Sequence, residues 1–183
     1  MLALGAIMVS ASCAKEDPAK ALDDSAYTAE GKSATIEGKL LVNNDISILA
    51  PLQQKYAAIQ GVTVIATISY SSLNPSSGGS GSYSTSTTTS SSGEFTLKVP
   101  ATANGVSVTL TVNHTQGKQK RIIDYTSANV PITSEINGKW SFSINDYSLL
   151  SVKSGQTIIL ESAIGNFTPI ESAGDPVGNY SIL

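Results

Sequence analysis

The sequence predicts an all-β, antiparallel sandwich, and three observations carry that prediction. From Ser33 onward apolar and polar residues alternate in short runs, the period of half-buried strands. Pairs rich in Gly, Asn, Asp and Ser separate those runs, as strand-linking turns require. Only 14% of the 183 residues are charged, the net charge is −3, and serine and threonine fill the polar positions. Several short strands at such spacing make a sandwich or a barrel. Residues 33–183 amount to one ordinary domain. At about 150 residues a chain buries roughly 68–70% of its unfolded surface, so a core without disulfides suffices. No basic face is visible, which argues against nucleic acid as a partner.

The elements follow in order. Thr35–Val42 forms the first strand. Val62, Val64, Ala66, Ile68 and Tyr70 alternate with polar or smaller neighbours in the second. Phe95, Leu97 and Val99 make a strand stopped by Pro100, and Val106, Val108, Leu110 and Val112 make the next. Trp140, Phe142 and Ile144 share one face; Thr157–Leu160 and Tyr180–Leu183 close the series. Turns are expected at Asn43-Asn44-Asp45, Ser92-Gly93, Asn104-Gly105, Gln116-Gly117 and Asn137-Gly138. Between the first two strands, Leu49, Leu52, Tyr56 and Ile59 recur at helical spacing, and Pro51 suits a first turn. A short helix over 51–59 is expected there, capping one end of the sandwich. Residues 69–92 are low in complexity, with a Gly/Ser loop at 76–82. The threonine-rich run 82–90 reads as an exposed edge strand, whose Tyr83, Thr85, Thr87 and Thr89 are candidate interaction residues.

The N-terminus has a different character. Leu2–Val9 is an apolar core, Ser10-Ala11-Ser12 are small, and Cys13 is the chain's only cysteine. That order reads as a signal peptide over 1–12, too short for the roughly 20 residues of a membrane span. A lone cysteine on an exported chain forms no internal disulfide and needs another purpose. Residues 10–13 resemble the lipobox of bacterial lipoproteins, with Ser10 and Ser12 in place of its leucine and glycine. The resemblance implies lipidation of Cys13, and several acyl chains hold a protein durably to a membrane. Residues 13–32 then form a tether. Its Lys15-Glu16-Asp17 resembles the acidic stretch that sends lipoproteins of the Bacteroides group to the outer face of the outer membrane. Asp24-Ser25-Ala26 fits the O-glycosylation pattern of that group, with Ser25 as acceptor.

A second resemblance lies in the domain. Ala34–Gly38, then Gly61-Val62-Thr63-Val64, then Gly93-Glu94-Phe95 running on to Pro100, resembles the carboxypeptidase regulatory-like domain. That family is an Ig-like, transthyretin-like β-sandwich. It covers about residues 34–113; the insertion at 43–59 and the loop at 74–82 are longer than usual, and 118–183 would add strands. The resemblance implies no catalytic residues.

Candidate chemistry is sparse. His114 is the only histidine, so a Ser-His-Asp arrangement would have to use it; it reads instead as a solvated strand end. One histidine and one cysteine build no zinc set. Asn43, Asn44 and Asp45 offer oxygen ligands to calcium, but are also ordinary turn residues. Glu94, Asp124, Glu135, Asp146, Glu161 and Glu171 are scattered. Trp140 reads as core, and Tyr70, Tyr83, Tyr125 and Tyr147 as surface tyrosines. No cofactor motif appears. The expectation is a non-enzymatic, outward-facing outer-membrane lipoprotein that binds a protein or glycan. The alternative is an assembly subunit pairing through its 82–90 edge; a hydrolase is a remote third.

Overall fold

In β6 the alternation of the sequence becomes burial: Val106, Val108, Leu110 and Val112 are inside, and Ser107, Thr109 and Thr111 are in solvent. The computed structural model describes residues 32–47, 55–75, 80–144 and 148–170. Its strands are β1 (Ser33–Val42), β2 (Ala57–Ala58), β3 (Thr63–Ser69), β4 (Ser82–Thr88), β5 (Glu94–Pro100), β6 (Val106–Val112), β7 (Thr115–Tyr125), β8 (Pro131–Ser141), β9 (Ser148–Val152), β10 (Thr157–Ile159) and β11 (Ala163–Pro169). One helix, α1 (Tyr70–Leu73), stands between β3 and β4 and buries Leu73.

The fold is an all-β sandwich of two sheets. One has the order β4-β3-β6-β9; the other runs β10-β1-β11-β8-β7, with β2 and β5 also on β1. Pairing is antiparallel except at β1, which runs parallel to β10 and then to β11 along one edge. Of the strands after residue 118, β8, β10 and β11 complete the sheet that β1 begins, and β9 joins the other sheet. Ile36, Leu40, Val64, Val99 and Val108 from both sheets are wholly buried. Each stabilises the fold by about 1.5–3 kcal/mol of side-chain burial.

Two expected turns form as read, at Gly93 (φ +77°) and Gly105 (φ +92°), where a left-handed backbone favours glycine. The helix expected over 51–59 does not extend through its described part, because residues 57–58 are β2, paired with Leu41 and Val42. Ile59 N–H donates to Leu40 O and Ile59 O accepts the Thr89 hydroxyl at 2.6 Å. Tertiary hydrogen bonds thus override the local helical spacing. Residues 51–54 lie outside the described residues, as do Cys13, Ser25, Asp146, Tyr147, Glu171 and the strand expected at 180–183.

Candidate functional site: the β7–β8 ribbon

β7 and β8 pair from Thr115↔Trp140 out to Tyr125↔Pro131, and the two ends of this ribbon differ in kind. Its root is packed. Gly117 and Gly138 face each other across the strands, with no turn at either. A Cβ on Gly117 would sit 2.5 Å from Trp140 Nε1, and one on Gly138 would enter the Phe167 ring. The same device recurs where Phe95 lies over Gly38 and Phe142 over Gly165. Glycine is required here to seat an aromatic ring on the neighbouring strand, which is why reading these glycines as turns fails. Trp140 and Phe167 pack at 4.8 Å between centroids, tilted by 58°.

The root also closes on β1. Lys120 N–H donates to Asn44 O and Ile46 N–H donates to Lys120 O, so the path β1–β11–β8–β7 returns to the extension of β1. Residues 43–45 thus lead from β1 into an isolated parallel bridge at Asp45↔Lys120, where a turn was expected. The buried Gln119 amide donates to Asn43 O at 2.7 Å and accepts Arg121 Nε–H at 2.6 Å. The Arg121 guanidinium lies over the Phe167 ring, 5.2 Å from its centroid. Burial pushes the Arg121 pKa down from its ordinary value. The Ser47 hydroxyl and N–H, aided by Lys120 at 3.6 Å, hold the Asp45 carboxyl below the usual range. On the outer side, the Gly117–Gly138 pair leaves a shallow depression of about 290 Å³, bordered by Gln116, Lys118, Asn137 and Ile170.

The tip has no such packing. A bulge falls between Ile122 and Asp124, and the reversal uses Thr126–Asn129, with Asn129 at φ +59°. The Thr126 hydroxyl accepts Val130 N–H. Every residue from 123 to 133 is exposed, including Ile123 (43%), Tyr125 (42%), Val130 (57%) and Ile132 (40%). Four large apolar side chains are thus exposed on one ribbon, a feature that commonly accompanies contact surfaces. Sequence reading missed it, since nothing in the run IIDYTSANVPI shows that no other described residues cover it.

The residues singled out for the β4 edge are placed otherwise than read. Tyr83 is 8% exposed and Thr89 3%, both turned into the sandwich, while Thr85 and Thr87 are half-buried. The Thr89 hydroxyl donates to Ile59 O and accepts Val62 N–H, making it a structural clamp. The solvent-facing row is Ser82, Ser84, Ser86 and Thr88. β4 remains the terminal strand of its sheet.

His114 is exposed in the β6–β7 link. Glu94 pairs with Lys39 and Glu135 with Lys118, so neither faces a second acid. Among the described residues no group of three or more His, Cys, Asp or Glu is placed to hold a metal. Tyr70, Tyr83 and Tyr125 stand on separate elements. Among the described residues no helix is long and apolar enough to cross a membrane.

No protein-family model matches the chain, and no curated protein does. Among solved structures, the major plantain pollen allergen Pla l 1 is 15% identical. That alignment covers 77% of this chain and 98% of that one, with a TM-score of 0.34, too low to carry an argument.

Proposed function

We propose that this protein is a non-enzymatic cell-envelope lipoprotein, held by lipid on Cys13 at the outer face of the outer membrane, that binds a partner through the β7–β8 tip. The observation that carries the reading is directional. β1 starts at Ser33, directly after the residues read as a tether, and its extension runs parallel to β7 at Asp45↔Lys120. From Ser33 to Asp45, and on from Lys120 to Tyr125, the strand path rises about 55 Å at roughly 3.3 Å per residue. A tether at the start of that path leaves the apolar tip as its far end.

The test is site-specific photo-crosslinking of the full-length lipoprotein on intact cells, with the crosslinking residue at Tyr125 or at Lys98. Products at 125 but not at 98, lost when Ile123, Val130 and Ile132 become serine, are the expected result. The reading fails if 125 yields nothing, or if external protease leaves the domain untouched. A second reading, an assembly subunit pairing through β4, is favoured by the terminal position of that strand. It requires self-association that Thr87→Pro abolishes.

A further inference from the structure

We propose that Arg121, with the isoleucines beside it, is a receptor for an extended polypeptide carrying an acidic side chain between apolar residues. This deepens the reading above by naming the partner's chemistry, and it rests on that reading.

The guanidinium is fixed before any ligand arrives. One face lies on Phe167, and Nε donates to Gln119, which is itself held by Asn43 O. The remaining N–H groups on Nη1 and Nη2 form the planar fork that matches a carboxylate. No acid answers that fork among the described residues. Asp45 pairs with Lys120, Glu135 pairs with Lys118, and Asp124 accepts the Tyr125 N–H. A partly buried charge without a counter-ion is unfavourable, and an incoming carboxylate removes the penalty.

The surroundings specify the rest of the ligand. Ser134 stands directly opposite Arg121, and the period of two puts Ile132 and Ile136 on the same face to either side. Gln119 and Asp124 stand opposite these isoleucines on β7, so the apolar side chains border Arg121 along β8, and they fit an acidic side chain with apolar ones two residues to either side. Among the described residues the backbone beside it is also without a strand partner. β11 leaves β8 after Pro169↔Gly138, with one last bond from Ile170 N–H to Asn137 O. Beyond that, residues 131–136 of β8 have no strand partner on that edge among the described residues. An extended segment can add there as a strand. Acidic polysaccharide shares the carboxylate, but stacking sugars calls for aromatic platforms, and the tip offers only Tyr125.

The test uses the full chain carrying Cys13→Ser to keep it free of lipid. It is titrated by calorimetry with acetyl-Thr-Ile-Thr-Glu-Thr-Ile-Thr-amide, whose isoleucines share the face of the Glu, and with the same peptide bearing Gln for Glu. The Glu peptide should bind about tenfold or more tightly than its Gln twin, the difference made by a charge-assisted pair. Arg121→Lys, which keeps the charge and stem but not the fork, should erase most of that difference, whereas Lys98→Gln should preserve it. Circular dichroism verifies that each variant is folded. Equal binding of the two peptides, no binding of either at millimolar concentration, or full discrimination by Arg121→Lys overturns the proposal. Arg121-dependent binding of tetragalacturonate without peptide binding also overturns it, in favour of an acidic glycan. If the peptides discriminate but Tyr125 captures nothing on cells, the receptor stands and the cell-surface reading falls.

Discussion

The root and the tip of the β7–β8 ribbon are the same two strands with opposite chemistry. At the root every large ring lies over a glycine of a neighbouring strand, and Trp140 is 2% exposed. At the tip the ribbon has no glycine, and its isoleucines, valine and tyrosine face water. A two-stranded ribbon alone is marginal in water. The root therefore supplies the stability and the tip borrows it.

The strongest way to break that contrast is Trp140→Ala. Removing this buried ring should destabilise the domain by about 3–5 kcal/mol. Trp140 is the chain's only tryptophan, so urea unfolding is followed by circular dichroism instead of fluorescence. A loss below about 1 kcal/mol would mean that the root does not unfold with the sandwich. Next in size is Gly138→Val, whose new methyl groups collide with Phe167 and with Thr168 O. We expect a loss of about 1–3 kcal/mol from overpacking, together with a change in Trp140 emission as Phe167 shifts. Unchanged stability and emission would show that the ring has room the contacts deny.

These two substitutions also show where the sequence is legible. β1, β3, β5 and β6 are read within one or two residues of where they form, because each has one face buried by the opposite sheet and so must alternate. β4 is located too, but its inward residues are taken for outward ones. The threonines of that run look alike, and only the hydrogen bonds to Ile59 and Val62 separate Thr89 from the rest. The ribbon root fails differently. Gln116-Gly117 and Asn137-Gly138 carry turn chemistry, yet their glycines answer rings that lie distant in sequence. Lys118–Asp124 has no clean alternation, since a bulge breaks the period. The candidate site lies in this least legible part.

At the tip the expected effect is small. Ile123→Thr with Ile132→Thr removes exposed apolar area without opening a cavity, so stability should change by no more than about 0.5 kcal/mol. Amide exchange should already be faster in residues 123–133 than in 115–120 of the unmodified protein. A loss above about 2 kcal/mol would show that the tip's isoleucines are packed, and the division between root and tip would collapse.

The smallest effect is set by pH at the closure of the root. The Ser47 hydroxyl, with its N–H and then Lys120, holds the Asp45 carboxyl below its ordinary value. A carboxylate with a lowered folded-state pKa contributes stability that is fully present above its unfolded pKa, about 3.9. That contribution is lost as pH falls through the lower folded value. The urea midpoint should therefore fall further between pH 4.5 and pH 2 in the unmodified chain than in Asp45→Asn. Ser47→Ala should lie between them, because it removes the largest cause and leaves Lys120 in place. Coincident pH profiles for all three would show that the Asn44–Ile46 bridge to Lys120 rests on its backbone hydrogen bonds alone, and that the root closes without help from charge.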